Sequence, residues 1–309
     1  MSAGAPTLLV TGHSGFVGGA LLKRQAELEG AQDWRIATLP PELDINEEAK
    51  LAQVLGLERP DYILHLAAQS FVPASFENPR ATLEVNLLGT LSLIRAAQQS
   101  GFKGRLLYVS SSDVYGVVPP ERMPITEEQP VAPRNPYAVS KAAAELLCRQ
   151  MALTSGLDVV IARPFNHVGP GQDSRFVLSS FARDVALRAA GKLDGPFMTG
   201  DLDVSRDFSD VLDVLQAYVA MLVKGVGGRT YNVCSGVGLH LGQTLAGMLE
   251  RAGVTAELQI DPARLRPNEQ KRVVGSHALL TADTGWTPRR PMAATLDSMI
   301  ADWKEKILL

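Results

Sequence analysis

The chain has 309 residues, of which 46% are hydrophobic and 20% charged, the composition of an ordinary globular protein. Its net charge of −3 provides no basic field for nucleic acid or an anionic membrane, and no apolar run is long enough to span a bilayer. The first apolar stretch is interrupted at Gly12 and is too short for a signal peptide. We therefore expect a cytoplasmic protein whose partners are small molecules and a second copy of itself, with no nucleic acid and no membrane among them.

The first half of the chain alternates short apolar segments with helical ones. Strands are predicted over residues 7–11, 35–39, 61–67, 105–110 and 158–163. Helices are predicted over residues 15–29, 81–99 and 137–154. Strands that are apolar throughout and separated by helices indicate a parallel sheet covered on both faces. The predicted fold class is therefore α/β, with a Rossmann-type doubly wound parallel sheet.

After Asn166 the pattern changes. The later elements are predicted as a helix over 176–190, a loop over 200–207, a strand over 231–233 and helices over 241–252 and 291–306. We assign residues 1–165 to a nucleotide-binding domain, to which segments near 208–234 return. Residues 166–207 and 235–309 are assigned to a smaller, discontinuous substrate lobe. The two cysteines, Cys148 and Cys234, form neither a disulfide framework nor a C-x-x-C pair, and no metal site is predicted.

A glycine loop follows the first predicted strand and opens the first helix. Gly12 permits a tight turn, Gly15 allows the backbone to approach a pyrophosphate, and Gly18 allows close packing of the helix. The N–H groups of the helix start, at Phe16 and Val17, would face the anion. The spacing is one residue longer than G-x-G-x-x-G, and a cluster of turn glycines is the alternative. The context favours a dinucleotide site.

The second strand does not show which nicotinamide cofactor is used. An acidic residue often follows this strand to bind the ribose 2′-hydroxyl, but here the run is Thr38-Leu39-Pro40-Pro41. Arg35 or the pair Lys23-Arg24 could contact a 2′-phosphate, although solvated surface charges are the alternative. NAD(H) and NADP(H) therefore both remain open as the cofactor.

Three residues carry the predicted chemistry. Tyr137 and Lys141 are four apart at the start of a helix and so share one face. An ammonium beside the phenol would favour the phenolate and bring the tyrosine pKa toward the working range. A run of serines, residues 110–112, leaves a strand at its carboxyl end, where open parallel sheets bind ligands. We predict that Tyr137 and Lys141 are catalytic, together with a hydroxyl of this run.

These motifs resemble the extended short-chain dehydrogenases/reductases over essentially the whole chain. The matching segments are Thr11-Gly12-x-x-Gly15-x-x-Gly18, Leu66-Ala67-Ala68, Asn86, 110–116 and Tyr137-x-x-x-Lys141. The resemblance implies that the cofactor is also contacted by Asp44, Ile45, Leu66, Ala67, Ala68 and Asn86. It further implies that Lys141 holds the nicotinamide ribose and that Ser111 is the catalytic hydroxyl. A homodimer through the helices that contain Asn86 and Tyr137 is implied as well, and simple packing of these helices on the sheet is the alternative.

The second half indicates the substrate. Residues 163–172 are similar to a loop of the GDP-mannose branch, which implies that Asn166 contacts the sugar or its diphosphate. The segment at Arg206 resembles the branch's R-D-[FW] motif, and Arg266 with Glu269 resembles R-P-x-E. The two arginines would bind phosphate and Glu269 the nucleotide ribose, as guanidinium forks suit a diphosphate. His13 and His167 are not assigned catalytic roles.

The chemistry within this family has several alternatives. Dehydratases carry a glutamate at the position of Asp113, and a carboxyl one methylene shorter argues against dehydration. Asp113 would still line the substrate site, or hydrogen-bond its local turn. We expect reduction of the 4-keto group of a GDP-4-keto-6-deoxy-D-mannose by NAD(P)H to GDP-D-rhamnose. GDP-mannose 4,6-dehydration, 4-epimerisation and a non-catalytic nucleotide sensor are the alternatives.

Overall fold

Short, largely apolar runs form the strands of the central sheet. The computed structural model describes residues 4–265 and 270–308. Its strands are β1 (Thr7–Thr11), β2 (Arg35–Thr38), β3 (Tyr62–His65), β4 (Arg105–Val109), β5 (Asp158–Pro164), β6 (Asn166–Val168), β7 (Phe197–Thr199), β8 (Ser205–Asp210), β9 (Thr230–Val233), β10 (Gly238–His240), β11 (Leu258–Ile260) and β12 (Arg272–Val273). Six of them form one parallel sheet in the order β2-β1-β3-β4-β5-β9. The predicted α/β fold with a parallel sheet is therefore confirmed.

The helices cover both faces of this sheet and build the second lobe. They are α1 (Phe16–Arg24), α2 (Glu48–Glu58), α3 (Val72–Glu77), α4 (Pro79–Leu83), α5 (Gly89–Gln99), α6 (Pro136–Ser155), α7 (Val177–Ala189), α8 (Val211–Lys224), α9 (Leu241–Ala252), α10 (Ala278–Thr284) and α11 (Met292–Leu308). Within the ranges that the structure describes, no helix is both long and apolar enough to cross a membrane.

The two faces of the sheet are buried in separate cores. Alternate residues of a strand point to opposite faces, so Leu8 and Val10 of β1 pack with α1 and α8. Leu9 points the other way, into the core shared with α2, α5 and α6. All five residues of β1 are buried, which explains why this strand shows no polar alternation in the sequence.

A smaller lobe is built around β8. This strand pairs with β6, β10 and β12, and the lobe's core includes residues of α7, α9 and α11 such as Phe181, Leu245 and Met299. We had predicted a loop over 200–207, and this is wrong for its last three residues. The run from Ser205 to Asp210 is polar, so its strand pairing depends on partners distant in the chain and leaves no apolar signal.

Several helical regions differ from the sequence prediction. The first helix ends at Arg24 and is followed by a 3₁₀ turn, where we had expected it to continue to residue 29. The predicted helix over 81–99 contains a π-helical turn at Glu84–Leu88. We had not predicted α2 or α8. Most of α8 is buried, so it lacks the polar face by which a surface helix is identified.

Candidate active site

The candidate site lies where the strand order reverses. β1 has β2 on one side and β3 on the other, and open parallel sheets bind ligands outside the carboxyl ends of strands at such a point. The glycine loop follows β1, the segment from Leu66 follows β3, and the segment of Ser111 follows β4. Three of the predicted site segments therefore meet at one edge of the sheet.

Two glycines of the loop, Gly12 and Gly18, leave no room for a side chain. Gly12 has a φ of +71°, and a Cβ on it would lie 2.6 Å from the backbone nitrogen of Ala67. A Cβ on Gly18 would lie 2.5 Å from the Cα of His13. Gly15 caps α1 without any side-chain hydrogen bond, so no side chain competes for the first N–H groups of the helix, at Phe16 and Val17. This cradle fits the pyrophosphate of a dinucleotide.

Of the two cofactor contacts predicted after β2, one is exposed and the other is buried. Asp44 is exposed, and its Oδ1 accepts hydrogen bonds from the backbone and side-chain nitrogens of Asn46. Ile45 is buried in the core, against Gly89 of α5. No helix intervenes between β2 and Asp44. Ile45 thus supports the turn that presents Asp44.

Hydrogen bonds with Thr11 and Asn86 fix the segment after β3. Leu66, Ala67 and Ala68 are half-buried, and the N–H of Ala67 donates to Thr11 Oγ1 at 3.1 Å. Asn86 exchanges hydrogen bonds with the backbone N–H and carbonyl of Gln69, at 2.8 and 3.0 Å. The amide of Asn86 therefore holds this segment in place, and its direct contact with a cofactor stays a prediction.

The proposed catalytic residues meet at the start of α6. Asn135 caps this helix by accepting a hydrogen bond from the N–H of Ala138 at 2.7 Å. Tyr137 and Lys141 are both buried, and the Ser111 hydroxyl lies close enough to the phenol to affect its pKa. Lys141 Nζ donates to the carbonyl of Val109 at 2.8 Å and lies 6.0 Å from the Tyr137 ring centroid. The structure thus brings all three predicted residues together.

The electrostatics of this group correct one expectation. We had expected Lys141 to bring the pKa of Tyr137 down. Burial instead raises the pKa of Tyr137, the charge of Asp113 raises it further, and the nearby Ser111 hydroxyl opposes both effects. Burial also lowers the pKa of Lys141 to about 8. Desolvation of the phenolate dominates, so Tyr137 carries its proton at neutral pH.

Asp113 lies at the entrance of the group. It is exposed, in the 3₁₀ turn Ser112–Tyr115, and its N–H donates to Ser111 Oγ at 3.1 Å. Its charge also affects the pKa of Tyr137, so the carboxylate is near the phenol. Both predicted roles of Asp113, in the turn and beside the reacting group, are therefore compatible with its position.

The predicted substrate residues lie on adjacent strands of the second lobe. Asn166 of β6 is exposed, and its Nδ2 donates to the carbonyl of Asp207 at 3.0 Å. Arg206 of β8 donates to the carbonyls of Ser205 and Lys271, at 3.0 and 3.4 Å. Arg266 and Glu269 lie outside the described residues. The pairing of β6 with β8 places Asn166 and Arg206 in one region.

Asp207 was missed by our sequence analysis. It is fully buried, and its carboxylate accepts hydrogen bonds from the N–H and hydroxyl of Ser235 and from the N–H groups of Gly236 and Gly275. Burial raises its pKa, and these hydrogen bonds oppose that shift. Asp207 joins two loops to β8, beside Arg206. The only signal in the sequence was an acid inside the R-D-[FW] motif.

His167 packs against the glycine loop. Its ring stacks on Phe16, with centroids 6.1 Å apart and planes 4° apart, and its Nδ1 lies 3.1 Å from the Phe165 carbonyl oxygen. Burial lowers its pKa, so the ring is neutral. These contacts describe a residue that joins the substrate lobe to α1, and they supply no argument for acid-base catalysis.

Among the described residues, no group of side chains is suited to a metal ion.

A buried ion pair was also missed. Arg163 of β5 binds both carboxylate oxygens of Glu145 in α6, at 2.9 and 2.6 Å. The guanidinium lies 4.8 Å from the Tyr115 ring centroid, and the Tyr115 hydroxyl donates to Asn232 Oδ1 at 2.6 Å. Glu145 is one helical turn beyond Lys141. The pair therefore fixes α6, which carries Tyr137 and Lys141, against the sheet.

A phenol, a lysine and a serine at the end of a parallel sheet, beside a glycine loop, are the arrangement of an extended short-chain dehydrogenase/reductase. The family described as GDP-mannose 4,6 dehydratase matches residues 9–299, and the chain belongs to this family. The resemblance inferred from the sequence is therefore confirmed.

Individual relatives are also similar to this chain over most of its length. A GDP-6-deoxy-D-mannose reductase of Pseudomonas aeruginosa is 46% identical over 97% of this chain and 98% of its own. A GDP-6-deoxy-D-talose 4-dehydrogenase of Aggregatibacter actinomycetemcomitans is 30% identical over 88% and 89%. The solved structure of RMD from Pseudomonas aeruginosa complexed with NADPH has a TM-score of 0.92 and 44% identity, covering 98% of this chain and 100% of its own. The expected nicotinamide cofactor agrees with that complex.

Proposed function

We propose that this protein reduces the 4-keto group of GDP-4-keto-6-deoxy-D-mannose, using NADPH or NADH, and forms GDP-D-rhamnose. One observation carries the proposal: a protonated phenol, Tyr137, lies beside the Ser111 hydroxyl and a buried ammonium, at the sheet edge that also holds the glycine loop. Reduction of a ketone requires a proton donor at the carbonyl oxygen. The 46% identity with a GDP-6-deoxy-D-mannose reductase favours this substrate.

Each side chain of the group has a separate role in the reaction. The bound nicotinamide supplies the hydride for C4. Tyr137 donates its phenolic proton to the C4 oxygen as negative charge develops there, and Ser111 donates a hydrogen bond to the same oxygen. Lys141, held by the Val109 carbonyl, stabilises the phenolate that remains. The raised pKa of Tyr137 suits this direction, since the residue must begin protonated.

The second lobe would select the nucleotide sugar. We assign Asn166 to the sugar or its diphosphate, Arg206 and Arg266 to phosphate, and Glu269 to the ribose of the nucleotide. The backbone of Asn166 and Arg206 is fixed by strand pairing between β6 and β8, which supports their use as a rigid diphosphate clamp. Asp207 fixes the loops beside Arg206.

We also propose a homodimer through α6 and its neighbours α4 and α5. Val139, Leu146 and Leu153 are seven residues apart on α6, and they are 44%, 64% and 87% exposed. Such spacing makes one apolar stripe along a helix. Leu88 of the π-helical turn, 48% exposed, is a further apolar residue on the chain segment between α4 and α5. A second copy of the same stripe is the complementary partner that this surface requires.

The direct test uses the purified protein with NADPH and GDP-4-keto-6-deoxy-D-mannose. We expect stoichiometric NADPH oxidation and a product that co-elutes with GDP-D-rhamnose. A protein that binds NADPH but leaves this substrate and other 4-keto sugars unchanged would instead be a nucleotide sensor. Interconversion of sugars with no net NADPH consumption would indicate an epimerase.

Dehydration is the second candidate, because Asp113 places a carboxylate near Tyr137. A GDP-mannose 4,6-dehydratase of Vibrio cholerae is 28% identical over 84% of this chain and 76% of its own. Incubation with GDP-mannose and catalytic NADP⁺ separates the two activities. We expect no 4-keto-6-deoxy product, since the shorter aspartate withdraws the carboxylate from C5. Formation of that product without added reductant would make the protein a dehydratase.

A further inference from the structure

A buried chain of hydrogen bonds runs beneath the proposed cofactor site. The N–H of Ala67 donates to Thr11 Oγ1 at 3.1 Å, and Thr11 Oγ1 lies 2.7 Å from His65 Nδ1. On the other side of the ring, His65 Nε2 lies 3.0 Å from Thr90 Oγ1. Thr90 Oγ1 donates to the carbonyl of Asn86 at 2.7 Å. The imidazole thus joins β1 and β3 to α5 and the π-helical turn.

The chain continues to the catalytic helix. Asn86 Nδ2 donates to Ser140 Oγ at 2.9 Å, and Ser140 Oγ donates to the carbonyl of Tyr137 at 2.7 Å. The same Asn86 side chain holds the backbone of Gln69. One end of the chain is therefore Thr11, next to the first glycine of the loop, and the other end is the backbone of Tyr137.

The hydrogen bonds fix the direction of every proton. The Thr90 hydroxyl proton is given to Asn86, so Thr90 Oγ1 must accept a proton from His65 Nε2. The ring proton is then on Nε2, and Nδ1 accepts the hydroxyl proton of Thr11. Thr11 keeps a lone pair for the N–H of Ala67. Each donor has one acceptor, and a single tautomer of His65 satisfies the whole chain.

Burial makes each link costly to break. Thr11, His65, Thr90 and Ser140 are at most 1% exposed, so water cannot replace a missing partner. Burial, with a smaller effect from the charge of Lys141, lowers the pKa of His65 to about 3. The ring therefore stays neutral and keeps the required tautomer at any pH at which the protein is assayed.

We propose that His65 is a positioning residue that couples the glycine loop to Tyr137, so that the cofactor site and the proton donor hold their mutual geometry. His65 contacts neither group directly. It acts through Thr11 at the loop and through Thr90, Asn86 and Ser140 at the helix. This inference rests on the proposed function only for its kinetic measurement, since cofactor affinity can be measured with no sugar present.

The test uses Thr90, because replacing the imidazole would also leave a cavity in the core. Thr90→Val keeps the shape of the side chain and removes the hydroxyl, which leaves His65 Nε2–H without its acceptor. We expect its NADPH Kd to rise and its kcat to fall, each about 5- to 10-fold. The matched control, Thr90→Ser, keeps the hydroxyl and is expected to stay within about twofold of the parent protein in both quantities. NADPH fluorescence titration gives Kd, and NADPH oxidation gives kcat.

A second variant tests whether the links act as one chain. Ser140→Ala removes the acceptor of Asn86 Nδ2 and the bond to Tyr137, far from the glycine loop. We expect it to raise the NADPH Kd as well, and the double variant Thr90→Val/Ser140→Ala to lose little more than the worse single variant. Multiplying effects in the double variant would overturn the coupling. So would a Thr90→Val protein with a lowered Tm but unchanged Kd and kcat.

The two proposals fail in different ways. If the parent protein reduces no 4-keto sugar, the proposed function fails, and the Kd comparison of Thr90→Val with Thr90→Ser still decides the coupling. If the parent protein is active and the Kd and kcat of Thr90→Val match those of Thr90→Ser, the coupling fails and the proposed function stands.

Discussion

Burial decides the protonation states at the proposed active site. A tyrosine and a lysine four apart could in principle share charge so that the phenol ionises, which is what the spacing suggested. In the folded protein the phenol is enclosed, and its pKa rises. The lysine is enclosed as well, and its pKa falls to about 8. Both shifts follow from the cost of a charge in an apolar site, which a sequence motif does not display.

Removing the phenolic hydroxyl tests Tyr137 directly. We expect Tyr137→Phe to bind NADPH and GDP-sugar with nearly unchanged Kd and to lose about 10²- to 10⁴-fold in kcat, the usual contribution of a general acid. Steady-state kinetics and nucleotide titration measure the two quantities. Full activity of Tyr137→Phe would remove this residue from the mechanism.

The charge of Lys141 predicts an alkaline limit to activity. Because its pKa is lowered to about 8, the ammonium is present below that pH and is lost as the pH rises through it. The Tyr137 pKa is raised, so loss of its proton comes later. Above about pH 8, we expect kcat/KM to fall about tenfold per pH unit, which forms the alkaline limb of the profile. A profile measured from pH 6 to 10 that stays flat would contradict the assignment.

Two variants of Tyr108 test whether its ring affects the alkaline limb of the pH profile. Its ring lies 5.3 Å from Lys141 Nζ, a distance at which an aromatic face stabilises a cation. Glu145, Cys148 and His65 also act on Lys141 electrostatically, and these variants leave all three in place. We expect Tyr108→Leu to move the alkaline limb to lower pH and Tyr108→Phe, which keeps the ring, to leave it unchanged. Identical limbs in both variants would rule out a role for the ring.

At the scale of elements, the catalytic helix is fixed at two points along its length. Its first turn is capped by Asn135 and bonded through Ser140 to Asn86. Two turns further on, Glu145 binds Arg163 of β5. A helix held at both places keeps Tyr137 and Lys141 in one orientation relative to the strands that end beneath them.

The buried pair should therefore matter for stability. Glu145→Gln leaves the Arg163 guanidinium buried without its anion, and we expect a loss of about 3–5 kcal/mol in the free energy of unfolding. The control is Asp297→Asn, which breaks the exposed pair between Arg251 and Asp297 and should cost about 0.2–1 kcal/mol. Denaturant unfolding measures both. Equal losses in the two variants would show that burial adds nothing to the pair.

The elements that the sequence predicted share one physical property. Strands such as β1 are apolar throughout because helices cover both faces of the sheet, and the pattern is local. Two of the elements that it did not predict, β8 and α8, form through packing with distant parts of the chain. β8 is polar and exists through its pairing with β6, β10 and β12, and α8 is buried on too many sides to show periodicity.

The residues of the site divide in the same way, into those with a local sequence pattern and those with distant partners. Gly12, Tyr137 and Lys141 were identifiable because their chemistry depends on spacings of a few residues. Asp207 was not, because its hydrogen-bond donors Ser235, Gly236 and Gly275 lie 28, 29 and 68 residues further along the chain. The His65 chain likewise joins residues 54 and 25 positions apart.

At the scale of the whole molecule, the proposed dimer would join two copies along their catalytic helices. We expect Leu146→Glu to convert a dimer to a monomer, because two buried carboxylates would face each other near the symmetry axis. Leu22→Glu is the control, since Leu22 is also exposed but lies on α1, across the sheet. Sedimentation or light scattering gives the mass. A dimer that persists in Leu146→Glu would exclude α6 from the interface.

The two cysteines are both free and fully buried, and burial raises the pKa of each thiol. Cys148 lies in α6 against the sheet, whereas Cys234 follows β9, beside Gly275 of the second lobe. Labelling reagents attack the thiolate, which neither sulfur presents while the fold is closed. The labelling rate of each cysteine therefore reports how readily the fold around it opens, and comparing the two rates shows whether α6 or the segment after β9 opens more readily.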